Sequence, residues 1–170
     1  DGAITQLIAA GEIKGKSGEL TLVHSLGKIP ASRVIVAGLG KQAQFNVDSI
    51  RRVSAEACRF ARSKAAKRVA TIVHGGGVGG IEPDKAAEGI TEGAILGLYR
   101  FRKHMSKEPE NGDVQELLIV ERDEAKRALL EKGRDVGRVT AESVTFARDM
   151  INEPANFMTP SVMADMARKL

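Results

Sequence analysis

A chain of 170 residues with 42% hydrophobic and 28% charged side chains suffices for one ordinary soluble domain with a real core. At this size folding hides roughly 70% of the surface that the unfolded chain exposes, so no disulfide or structural metal is required. The single cysteine, Cys58, allows no internal disulfide and fits a reducing cytosol. Basic residues outnumber acidic ones by 26 to 22, giving +4, which mildly favours polyanionic partners, but the charges are interspersed as on a solvated surface. No apolar run approaches a membrane span, and Asp1-Gly2-Ala3 opens neither a signal nor a transit sequence.

Ile4, Leu7 and Ile8 are spaced for one face of a first helix that Gly11 stops. After a glycine-basic turn, Glu19 to Ser25 alternates as a strand, with Leu20, Leu22 and His24 on one side. Arg33 to Ala37, carrying Val34, Ile35 and Val36, reads as a second strand buried on both faces. Asp48 offers an N-cap to a helix reaching about Lys67, with Ile50, Val53, Ala57, Phe60 and Ala61 on its apolar stripe. Arg51, Arg52, Arg59 and Arg62 share the opposite, outward face. Val69 to Val73 is a further strand. A glycine loop then precedes a helix from Pro83 to about Arg102, with proline in the first turn, where its missing amide hydrogen costs nothing. Gly89, Gly93 and Gly97 recur along that helix, each costing about 1 kcal/mol against alanine, so close approach of another backbone is expected there. Beyond the polar loop Ser106 to Asp113 come a strand, Val114 to Val120, and two helices, Asp123 to Lys132 and Arg134 to Ile151. Thr159-Pro160 starts a terminal helix with nothing after it to bury it, which reads as a chain cut short. Strands alternating with helices at this spacing predict an α/β fold, a three-layer sandwich around a mostly parallel or mixed sheet.

The candidate chemistry is sparse. His24, His74 and His104 fall on different elements, without the helical pairing or cysteine cluster of a zinc site, and read as structural or surface histidines. Cys58 lies near the edge of its helix's apolar stripe and reads as a packed thiol. The run His74-Gly75-Gly76-Gly77-Val78-Gly79-Gly80 occupies a position where backbone amides can cradle phosphate. It lacks the Gly-Lys-Ser/Thr ending of a nucleotide loop, and Glu82 stands where a dinucleotide fingerprint has its third glycine, so it reads as a surface connection. Asp84, Glu88 and Glu92 are expected as exposed helix charges, not metal ligands.

The run Phe146-Ala147-Arg148-Asp149-Met150-Ile151-Asn152-Glu153-Pro154-Ala155-Asn156-Phe157-Met158-Thr159-Pro160 resembles the segment that opens the catalytic domain of leucyl (cytosol) aminopeptidases. Three upstream pieces are similar to that family in the right order: Gly11-Glu12-Ile13-Lys14-Gly15-Lys16, Val36-Ala37-Gly38-Leu39-Gly40-Lys41, and Glu88-Gly89 through Leu96-Gly97-Leu98-Tyr99-Arg100-Phe101. The resemblance implies a macro-domain-like mixed sheet flanked by helices, a long linker helix, and a peptidase domain with two divalent metal ions, Zn or Mn. Residues 1–132 would be the accessory domain with its first strand missing, 133–151 the linker helix, and 152–170 the truncated start of the metallopeptidase domain.

On this resemblance the parent is a cytoplasmic, homohexameric metalloprotease that releases N-terminal amino acids from peptides. The family's metal-binding and catalytic motifs, such as Asn-Thr-Asp-Ala-Glu-Gly-Arg-Leu, do not occur here, so no catalytic, cofactor-binding or metal residue is assigned and the fragment is expected to be inactive. Its expected partners are its own catalytic domain and further copies, with no membrane. The alternative reading is a macro-like binding module for DNA or an ADP-ribose-type ligand, resting on the arginine face and the glycine loop.

Overall fold

The computed structural model describes residues 2–76, 80–107, 110 and 112–169. Nine main elements follow one another: α1 (Ala3–Ala9), β1 (Leu20–His24), β2 (Arg33–Ala37), α2 (Val47–Ser63), β3 (Arg68–Ile72), α3 (Pro83–Leu98), β4 (Glu116–Val120), α4 (Arg127–Asn152) and α5 (Pro160–Arg168). The fold is mixed α/β, as the alternation of elements predicts. Its described strands form two pairs: β1 and β2 run antiparallel, with Leu20 opposite Ala37 and His24 opposite Arg33, and β3 and β4 run parallel, with Arg68 opposite Glu116. All five residues of β2 are half-buried, where burial on both faces is expected from its sequence.

Two local expectations are corrected. The cap of α2 is Asn46: its side chain accepts from the Ser49 amide at 2.9 Å, while Ser49 Oγ accepts from the Asn46 amide at 3.4 Å, a reciprocal box that leaves Asp48 inside the first turn. The two helices expected over 123–132 and 134–151 are one 26-residue helix, α4, preceded by a short 3-10 turn over Glu124–Lys126. Gly133 lies inside it because tertiary packing outweighs the helix-propensity cost. Thr159 caps α5 as expected, accepting from the Val162 amide at 3.4 Å, with Pro160 in the first turn.

Helices α2, α3 and α4 form the backbone of the molecule, and glycines set their spacing. A Cβ on Gly93 would lie 2.2 Å from the Arg51 carbonyl oxygen, and one on Gly97 2.6 Å from Ala55 Cα, so α2 rests directly on the glycine row of α3. The other side of α3 receives glycines from α4: a Cβ on Gly133 would lie 2.0 Å from the Asp84 carbonyl oxygen, and one on Gly137 2.6 Å from that of Glu88. Ile50 and Ile90 are fully buried between these helices, and Leu117 and Ile119 of β4 pack on the same core. The C-terminal carbonyls of α3 lack partners in their own helix, and Arg62 meets one of them, donating to Leu98 O at 2.8 Å.

Candidate functional site at the corner of α4 and α5

The C-terminal run that carries the family resemblance folds into the corner where α4 ends, and the chain leaving α3 meets it there. Glu153 caps α4 in extended conformation and turns its carboxylate inward, leaving the side chain 3% exposed. Lys103 Nζ donates to one carboxylate oxygen at 2.7 Å, and His104 Nε2 lies 2.6 Å from the other. The lysine hydrogen bond, reinforced by the one from His104, holds the Glu153 carboxyl below the usual carboxylate range against the opposing effect of burial. An ionised carboxylate only accepts, so His104 Nε2 carries the proton of that contact. The imidazole also lies against Phe157, with ring centroids 4.8 Å apart, and against Phe101 at 5.9 Å.

A second clamp lies one turn earlier. Tyr99 OH donates to Asp149 Oδ1 at 2.7 Å and accepts from Asn152 Nδ2 at 3.1 Å, while the Arg148 guanidinium sits over the tyrosine ring. Together the clamps fix the segment after α3 to the end of α4, and α5 closes the corner. The cleft left between them, about 370 Å³, is lined by Phe101, Phe146, Met150, Phe157, Val162 and Met166, with Arg100 and Lys103 on its rim. Chemically the corner is a structural joint. Its one buried carboxylate is already satisfied by an ammonium and an imidazole, a donor set that does not suit a divalent cation. Among the described residues no group of three or more His, Cys, Asp or Glu side chains is arranged to hold a metal ion.

The residues singled out in the sequence scatter over the fold. His24 is exposed at the end of β1. His74 is half-buried, with Ser54 Oγ 3.1 Å from its Nε2, and burial pushes its pKa down, so the ring is a neutral structural group. Burial likewise pushes the Cys58 thiol up to about 11 despite nearby Arg59 and Arg62. Of the glycine loop, residues 77–79 lie outside the described residues. The expected arginine face is divided: Arg52 and Arg59 are exposed, whereas Arg51 pairs with Glu92 and Asp48, and Arg62 is buried beside Asp113. Glu92, expected on the surface, is buried, because the close approach of α2 to α3 brings Arg51 over it. Sequence reading did not find the roles of Lys103, Glu153 and Tyr99; the available signal was that Glu153 and Tyr99 fall within the motif runs.

Chains of this fold include the bottromycin maturation enzyme BotP in complex with Mn (TM-score 0.78, 24% identity, covering 99% of this chain and 33% of that one). A mutant tomato leucine aminopeptidase matches equally well (TM-score 0.78, 21% identity, 99% and 32% coverage), and at these identities the likeness is one of fold. The fold is thus that of a leucine aminopeptidase N-terminal domain. Residues 1–108 match the model of the cytosol aminopeptidase family, N-terminal domain, and the chain belongs to that family. Probable cytosol aminopeptidases of Alkaliphilus oremlandii and Alkaliphilus metalliredigens are each 39% identical to it, over 168 and 171 residues, covering 98% and 99% of this chain and 34% of each relative. The chain therefore spans about a third of the length of these relatives.

Proposed function

We propose that this chain is the noncatalytic front part of a metal-dependent aminopeptidase that releases N-terminal amino acids from peptides. Residues 1–132, which take in the first residues of α4, form a macro-like accessory domain, 133–151, the rest of that helix, act as the linker, and 152–170 are the start of the peptidase domain. The family match across residues 1–108, continued at 39% identity over nearly the whole chain, carries this reading. Two divalent metal ions, Mn or Zn, would belong to the peptidase domain, where they polarise the scissile carbonyl and activate water. The contribution of the present residues is positional. The Glu153 and Tyr99 clamps fix the direction in which the chain leaves α4, and so how the accessory domain stands toward the active site, assisting assembly of a cytoplasmic homohexamer. No helix of the described residues is long and apolar enough to cross a membrane. The competing reading, a binding module for DNA or an ADP-ribose-type ligand, loses much of its support because Arg51 and Arg62 are committed to Glu92 and Asp113.

The test is release of chromophore from a leucyl chromogenic amide by the complete protein with Mn or Zn. Turnover by the complete protein and none by residues 1–170 is the expected pair of results. No turnover under any metal condition sinks the enzyme assignment, and turnover by the fragment sinks the noncatalytic one.

A further inference from the structure

All five methionines of the chain, Met105, Met150, Met158, Met163 and Met166, come after α3 in the sequence. Three of them meet at the corner of α4 and α5. Met150 on α4, Met158 in the connector and Met166 on α5 line the same cleft of about 370 Å³, beside Phe101, Phe146 and Phe157. Each of the three is half-buried, while Met105 and Met163 are 67% and 47% exposed. The buried core is built differently: it uses aliphatic side chains such as Ile50, Val53 and Ile90 and contains no methionine.

Leucine would cover such a seam as well as methionine does. What the thioether adds is a soft, polarisable sulfur that packs against aromatic rings and that a peroxide can oxidise. Oxidation needs both access and consequence, and the cleft supplies the two together. Half-burial leaves each of these side chains within reach of a small oxidant, and a sulfoxide there is a polar group in a seam walled by three phenylalanines. One wall of the seam is thinly held. Helix α5 has no buried residue, and the connector is turned back by the amides of Phe157 and Met158, which donate to the Pro154 carbonyl at 2.8 and 3.0 Å. The Phe157 ring, with its centroid 4.8 Å from that of His104, ties the connector to the segment after α3.

We propose that Met150, Met158 and Met166 form an oxidation site, at which a peroxide converts the thioethers to sulfoxides and so releases α5 from the end of α4. In each step the sulfur lone pair attacks one oxygen of hydrogen peroxide. An S–O bond forms, the O–O bond breaks, and the second oxygen takes up the proton of the first and leaves as water; the sulfur is oxidised and the peroxide reduced. Enzymatic reduction of the sulfoxide reverses the change. The site goes beyond the peptidase reading and stands or falls on this chain alone.

The experiment adds millimolar hydrogen peroxide to residues 1–170 and reads by peptide mass mapping which methionines gain oxygen. All five are expected to do so in the folded chain. Amides in the last turn of α4 should then exchange at least about tenfold faster, with those of α2 unchanged. The nuclear Overhauser contact between the His104 and Phe157 rings should disappear, and methionine sulfoxide reductases acting on both epimers should restore it. A variant carrying Met150→Leu, Met158→Leu and Met166→Leu keeps the volume of the seam and therefore the fold. It should show no faster exchange although Met105 and Met163 still take up oxygen. Cleft methionines that stay reduced while Met105 and Met163 are converted overturn the proposal, as does full conversion with exchange in α4 unchanged. Equal acceleration in the leucine variant also overturns it and assigns the response to the exposed methionines.

Discussion

At the scale of single residues, Glu153 and Cys58 are among the side chains held away from their ordinary protonation behaviour, and each gives a measurable consequence. Glu153 has its carboxyl depressed chiefly by the Lys103 hydrogen bond. A group whose folded pKa is lowered contributes stability that is complete above the ordinary carboxylate value and is lost as pH falls through the folded one. The melting temperature is therefore expected to decline as pH falls below the ordinary carboxylate value, in part through this group. Glu153→Gln should lower the melting temperature at neutral pH by several degrees and flatten that acid limb; an acid limb parallel to the wild type would remove Glu153 from the account. Cys58 behaves oppositely. With its thiol pushed up to about 11 by burial, the thiolate fraction at pH 8 is roughly 0.1%. Alkylation by iodoacetamide should be at least a hundredfold slower, roughly, in the folded chain than in denaturant, where the thiol returns to its ordinary value. Equal rates in the two states would show an open thiol.

At the scale of elements, the glycines of α3 are legible in the sequence because their cost demands compensation, and the structure supplies it at Gly93 and Gly97 as backbone contact with α2. Those of α4 are not legible by the same logic, since Gly133 reads in the sequence as a boundary between two helices; nothing local distinguishes a helix stop from a glycine that another backbone crosses. The cap of α2 was missed for a related reason, as Asp48 and Asn46 are both good capping residues and only the Ser49 reciprocity chooses between them. Substitution separates these roles. Gly93→Ala and Gly133→Ala gain about 1 kcal/mol in helix propensity, but the new Cβ atoms would meet carbonyl oxygens at 2.2 and 2.0 Å, forcing the helices apart. Net losses of about 1 to 3 kcal/mol in urea unfolding are expected. Gly89→Ala, whose Cβ would meet side chains and no backbone, Ile50 at 3.2 Å and Val47 at 3.3 Å, should be close to neutral. If all three variants were equally stable, the glycine row would not be setting the helix spacing.

At the scale of the whole molecule, the parts differ in how firmly they are held, and this explains why the candidate site was the least readable region. Periodicity reports which residues face inward along one element, and it located almost every helix and strand here. It cannot report that Lys103 and His104 converge on Glu153 about 50 residues away, since that pairing is created only when α3 and α4 pack side by side. The same packing predicts a hierarchy of opening. Helices α2 and α3 contribute most of the buried core, including Ile50, Val53, Ala61, Ala86, Ala87 and Ile90, whereas α1 and α5 contain no buried residue. Helix ends with few buried contacts open at little cost, while core helices open only with the whole fold. In native-state hydrogen exchange at dilute concentration, amides in the middle of α2 and α3 should therefore be protected at least about a thousandfold more than those of α1 and α5. The clamps tie Glu153 to the segment after α3, so Glu153→Ala should accelerate exchange at the end of α4 and in α5 while leaving α2 unchanged. Uniform acceleration across the chain would mean that the corner is part of the global folding unit and not a separable joint.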